Sequence, residues 1–232
     1  MRIFSYLLQN LGSIAQIAGV HALLSIEGTV LGAFVAIPFG LFAYRRPGVR
    51  RVAAAVAETI QTIPSLALLA LLMIWLGMGN TTLVATLFLY ALMPMLHNTV
   101  EGLLSVDPGL VEIARGLGMS RRQAMWRVQI PLASPIILTG FRVALVTSIG
   151  IATVGVFIGA QGLGSVIYGG MQVQSASQIF AGAAPAALMA IVFDGFLSFL
   201  AVRAARRSLR LPRLGPRAPA PAQTIAKGDG LH

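Results

Sequence analysis

The sequence predicts an all-α, polytopic membrane protein with five spanning helices. Three observations predict it. First, 56% of the 232 residues are hydrophobic and 10% are charged, where soluble domains carry roughly 25% charged residues. Second, five apolar runs (residues 21–43, 52–76, 82–104, 132–158 and 178–202) reach the ~20 residues that a span requires, and lipid admits no open-ended element except the helix. Third, with five spans, fifteen of the seventeen basic residues fall on one side of the membrane. They are Arg45, Arg46, Arg50 and Arg51 after the first run, Arg115, Arg121, Arg122 and Arg127 after the third, and Arg203, Arg206, Arg207, Arg210, Arg213, Arg217 and Lys227 after the fifth. Cationic loops stay cytoplasmic, so the N-terminus is expected outside and the C-terminus in the cytoplasm.

Taken in order, residues 1–20 hold one cation, Arg2, and are interrupted by Gln9, Asn10 and Gln16. They lack the pattern of a cleavable signal peptide and are expected to lie at the interface as an amphipathic or irregular segment. An additional span is the runner-up. The spans carry Gly28, Gly32, Pro38, Gly40, Pro64, Pro94, Gly140, Gly150, Gly155, Pro185 and Gly195. Small residues let membrane helices approach closely, and an intramembrane proline kinks a helix and frees a carbonyl. The Gly-rich segment 159–170 is expected to form a re-entrant turn or a short outer gate. The Pro-, Ala- and Gly-rich tail 206–232 is expected to be disordered.

Residues 107–131, DPGLVEIARGLGMSRRQAMWRVQIP, are the one long polar interval. Asp107 before Pro108 is a helix start. Gly118 ends that helix. Ser120 with Gln123 is a capping box for a second, and Pro131 opens the next apolar run. The expectation is a helix–turn–helix of two to three turns each at the membrane surface, shaped to dock into a groove on a soluble partner.

Ionisable groups at membrane depth are functional candidates by default. These are Glu27 in the first span, Arg142 in the fourth and Asp194 in the fifth, with Glu58 and Glu101 near cytoplasmic ends. Glu27 and Asp194 are read either as substrate- or proton-coupling groups, or as members of a buried pair with Arg142 or of a wet cavity. His21 and His97 stand apart from any carboxylate cluster, so no metal site of three or four ligands is expected. Trp75, Tyr90 and Tyr168 are read as an interfacial aromatic belt. The basic excess follows from sidedness and not from nucleic-acid binding. No Walker A pattern occurs, so any ATP and Mg used for transport belong to another chain. No nucleophile–base set suggests an enzyme.

The interval 107–131 resembles the signature loop of permease subunits of bacterial ABC importers, E-A-A, three residues, G, nine residues, I-x-L-P. Glu112, Ile113 and Ala114 stand for the triplet, Gly118 follows, and Val128, Gln129, Ile130 and Pro131 close the pattern with its spacing kept. Segments 58–72, 87–112 and 158–170 are similar to permeases for glycine betaine, choline and carnitine. The resemblance covers about residues 20–205. It implies a five-helix type I importer core and, as partners, an ATP-binding subunit, a substrate-binding protein and a second permease chain, homodimeric or paralogous. It also implies that the loop carries coupling helices. Glu112 and Gly118 then dock on the ATPase, with Ala114, Arg115, Ser120, Arg121, Arg122 and Pro131 around them. The alternatives are a permease for another small solute, such as an amino acid, and an ion-coupled secondary transporter working through Glu27 and Asp194.

Overall fold

The computed structural model describes residues 2–208. Helix α1 (Arg2–Gln9) precedes α2 (Leu11–Ala43), α3 (Pro47–Thr62), α4 (Ser65–Leu76), α5 (Asn80–Leu104), α6 (Pro108–Gly116), α7 (Arg121–Ala124), α8 (Ile130–Val154), α9 (Leu163–Gln172) and α10 (Ala176–Ser208). A π-helical turn, Met125–Gln129, joins α7 to α8, and a 3-10 turn, Gly155–Ile158, follows α8.

Helix α5 is the centre, packed on one side by α2 and on the other by α8. The reason is small residues. A Cβ on Gly28 would stand 2.5 Å from Leu87 Cβ, and one on Gly32 would stand 2.7 Å from Ala91 Cβ. The two backbones therefore approach closer than any side chain permits. Helix α10 packs on α8, and α1 and α9 pack on α10.

Three expectations change. Residues 11–20 are not a separate segment: they continue α2, which is 33 residues long, about 50 Å at 1.5 Å per residue. Polar Gln16 does not interrupt it, because a polar side chain at a helix end reaches solvent without breaking the backbone ladder. The break comes at Asn10, whose amide donates to Tyr6 O at 3.0 Å. Next, the second run is not one straight span, because α3 and α4 meet at a 98° bend at Ile63–Pro64. Proline disfavours helical geometry in the residue before it. Among the described residues, four helices are long and apolar enough to cross a membrane, five if the bent pair is counted as one broken span. Finally, α10 runs helically to Ser208, so residues 206–208 belong to a helix, and the rest of the expected tail, 209–232, lies outside the described residues.

Two prolines, Pro64 and Pro94, explain the bend between α3 and α4. Pro94 sits inside α5 and has no N–H to give the carbonyl of Tyr90, one turn back. Gln61 of α3 donates to that carbonyl instead, at 3.2 Å. In return the Tyr90 hydroxyl donates to Ile63 O at the bend. Tyr90 is thus a buried clamp at 8% exposure, not a member of an interfacial belt. Trp75 is 87% exposed, and the Tyr168 ring meets Phe157 edge-on at 5.4 Å. Tyr90→Phe leaves the Ile63 carbonyl without its donor. The expected cost is about 1–3 kcal/mol, read as a lower thermal midpoint of the purified chain. An unchanged midpoint would show that the clamp holds nothing.

In the first half of α2, His21 is fully buried and joins three helices. Its Nδ1 accepts from Leu163 N–H at 3.2 Å and its Nε2 donates to Ile149 O at 3.0 Å. A backbone N–H can only donate and a carbonyl can only accept, so the ring is the neutral Nε2–H tautomer. It pins the start of α9, the helix that forms from the Gly-rich segment.

Candidate functional site

The polar interval folds as a capped elbow at the end of the bundle where α5 stops. Asp107 Oδ1 accepts from Gly109 N–H at 2.8 Å, and Pro108 occupies the first turn of α6. The helix closes with two reversed bonds, Gly118 N–H to Arg115 O at 3.0 Å and Met119 N–H to Ala114 O at 3.2 Å. That is a Schellman closure, and it needs a left-handed residue. Gly118 supplies it at φ +86°. The capping box is reciprocal: Ser120 N–H donates to Gln123 Oε1 at 2.8 Å, and Gln123 N–H donates to Ser120 Oγ at 3.2 Å.

The second helix of the expected helix–turn–helix is not separate. Only Arg121–Ala124 is α-helical before the π turn, and the chain then continues as α8, so Arg121–Ile158 is one helical stretch of 38 residues. The π turn explains why Pro131 does not end it. Ile130 N–H reaches back five residues to Met125 O, so the hydrogen-bond register shifts just before the residue that has no N–H. Gln129 in this turn is buried and accepts from the Tyr44 hydroxyl at 3.1 Å and from Arg45 Nη2 at 3.3 Å. The elbow is thereby fastened to the end of α2.

Glu112, Arg115, Gly118, Met119, Ser120 and Arg121 line one open concavity of about 480 Å³. Five of these six are sequence-predicted residues. Arg122 and Pro131 are exposed but do not line it, while Ala114 is buried and packs α6 down. Nothing of the chain lies within 4 Å of a Cβ placed on Gly118, so the rim is open to another molecule. Sequence reasoning missed the apolar part of this surface. Leu110, Ile113 and Leu117 are exposed, Leu117 at 77%. Their i, i+3, i+7 spacing on a polar, capped helix was the available signal.

The intramembrane polar residues do not converge. Arg142 of α8 and Asp194 of α10 form a two-point ion pair, Nε to Oδ1 at 2.5 Å and Nη2 to Oδ2 at 2.8 Å. The two are paired, but each side chain is more than a third exposed, so the pair is not the buried one expected. Glu27 is exposed on α2 between exposed Leu23 and Leu31, and Glu58 is exposed on α3. Among the described residues no group of three His, Cys, Asp or Glu side chains is placed to hold a metal.

Residues 28–210 match the family model described as binding-protein-dependent transport system inner membrane component. The chain belongs to this family. Two relatives extend the match. The glycine betaine/carnitine/choline transport system permease protein OpuCD of Bacillus subtilis is 40% identical over 197 residues, covering 84% of this chain and 86% of the relative. The carnitine transport permease protein OpuCD of Listeria monocytogenes serotype 1/2a is 41% identical over 181 residues, covering 78% and 81%. The fold is also that of the MetNI methionine ABC transporter in an inward-facing crystal form, with TM-score 0.70 at 20% identity over 84% of this chain and 95% of that one. This inner membrane component is a multi-pass transport subunit of an ABC importer and not an enzyme. Membership implies an ATPase, a substrate-binding protein and a second permease as partners.

Proposed function

We propose that this permease takes up quaternary-amine osmoprotectants such as glycine betaine, choline and carnitine, delivered by a binding protein and driven by a separate ATPase that holds ATP and Mg. The observation that carries the substrate class is identity near 40% over most of the chain to permeases named for those substrates. The elbow docks in a cleft of the ATPase through Glu112, Gly118 and the flanking arginines. It faces the cytoplasm with the C-terminus, while the N-terminus is outside. The asymmetry of the arginines supports that orientation.

Two structural features support force transmission. The elbow is satisfied at both ends, each cap contributing about 1 kcal/mol, so it moves as a rigid piece. It is also continuous with α8 through the π turn and tied to α2 through Gln129. Displacing it therefore displaces two of the helices that grip α5. Asp194 is engaged by Arg142 and so is not a free carboxylate for ion coupling. Glu27 lies on an exposed stripe of α2, where lipid contact is unfavourable. A second permease chain or the aqueous pathway covers it.

Proteoliposomes holding the permease, its ATPase and the binding protein test this reading. Labelled glycine betaine, choline or carnitine should accumulate only with ATP, and tight binding should reside in the binding protein, whose aromatic faces suit a quaternary ammonium. Accumulation of an amino acid in preference to all three, or uptake driven by an ion gradient without ATP, would overturn it.

A further inference from the structure

Helix α3 is poorly covered by the rest of the chain. Of its 16 residues only Ala57 is buried, and Val52 and Val56 are 66% and 57% exposed. Two cavities flank it and share Ala57 and Leu96. One, about 640 Å³, is walled by apolar residues of α2, α3 and α5, including Phe39, Val52, Val56 and Leu92. The other, about 250 Å³, lies toward the elbow end and is lined by Arg50, Arg51, His97 and Glu101 among others.

We propose that these cavities form one binding site for an anionic phospholipid. Its phosphate sits on Arg50 and Arg51, and one acyl chain lies along the apolar groove. Among the described residues neither arginine has an ion pair or a side-chain hydrogen bond. The two outweigh the single carboxylate Glu101, so the mouth attracts an anion. A guanidinium fork suits a phosphate better than a point charge does. The dimensions agree. The α3 stretch along the groove, Gly48 to Ile60, rises about 18 Å, close to the ~15 Å that one leaflet contributes to a hydrocarbon core of about 30 Å. The groove is concave and meets the arginine-lined cavity at Ala57 and Leu96, so a chain lying in it reaches a headgroup held on the cations. The assignment of this lipid to the inner leaflet rests on the orientation proposed above; the site itself does not.

Native mass spectrometry of the full chain in detergent tests the site. The chain is titrated with phosphatidylglycerol, with phosphatidylcholine of the same acyl chains, and with glycerol phosphate. One phosphatidylglycerol should be retained, with at least tenfold preference over phosphatidylcholine and little retention of glycerol phosphate. Arg50→Gln/Arg51→Gln should lose that retention tenfold or more, and Val56→Trp, which fills the groove, should lose it as well. Arg203→Gln, at the same end of the bundle, should not. Equal retention by the double variant or by Val56→Trp would overturn the proposal. So would cross-linking of two permease copies in membranes through Val56→Cys, since a second chain would then occupy the groove. Retention in detergent is independent of sidedness, so a wrong orientation and a wrong site give different results.

Discussion

Gly118→Asp should leave the permease inserted and the ATPase turning over, while substrate uptake falls at least tenfold. The argument has two parts. The left-handed backbone at φ +86° costs a non-glycine residue about 1–2 kcal/mol, and Asp is among those that tolerate it best, so the bundle survives. The new carboxylate then projects into the concavity shared with Glu112, where nothing of this chain meets it. It obstructs and repels whatever docks there. Gly118→Ala separates the two parts, because it carries the backbone strain with little bulk and no charge. It should keep most of the uptake. If Gly118→Asp transports normally, the docking role is wrong. If Ala is as damaging as Asp, the loss comes from the strained turn and not from the interface.

The second large effect is expected at the Arg142–Asp194 pair. Each residue alone is an ion at membrane depth, with side chains 36% and 39% exposed. Together they are a bidentate fork joining α8 to α10 beside Leu145, Ile149 and Leu197. Removing one partner strands the other charge, whereas removing both removes the problem. Arg142→Met and Asp194→Leu should each reduce the amount of inserted, folded chain several-fold. The double variant should recover at least half of it. A double variant no better than either single would mean that the charges do more than satisfy each other. The cycle reads their coupling directly.

Much of the elbow was legible because its signals are local. Asp107–Pro108, Gly118 and Ser120–Gln123 each specify a backbone hydrogen bond within five residues, and each bond is present. The fusion of its second helix with α8 was not legible. Pro131 reads as a boundary in sequence, and the π turn that accommodates it is held by Gln129, whose partners Tyr44 and Arg45 come from more than eighty residues away. The Pro64 break was visible as a proline in an apolar run. Its 98° angle depends on the tie to Tyr90, whose own role arises from Pro94 in a different helix. Arg142 and Asp194 were recognisable as costly ions. Their pairing required knowing that α8 and α10 are neighbours, which no local pattern encodes.

The central claim is that the elbow is the ATPase contact and faces the cytoplasm. The chain has no cysteine, so Leu117→Cys, on the exposed apolar stripe, is a clean single probe. In membranes containing the cognate ATPase, a short bifunctional thiol–amine reagent should join Leu117→Cys to the ATPase. A membrane-impermeant maleimide should label it in inside-out vesicles and not in right-side-out ones. Labelling from the outer face, or an assembled complex that yields no ATPase cross-link at this position, would contradict the account.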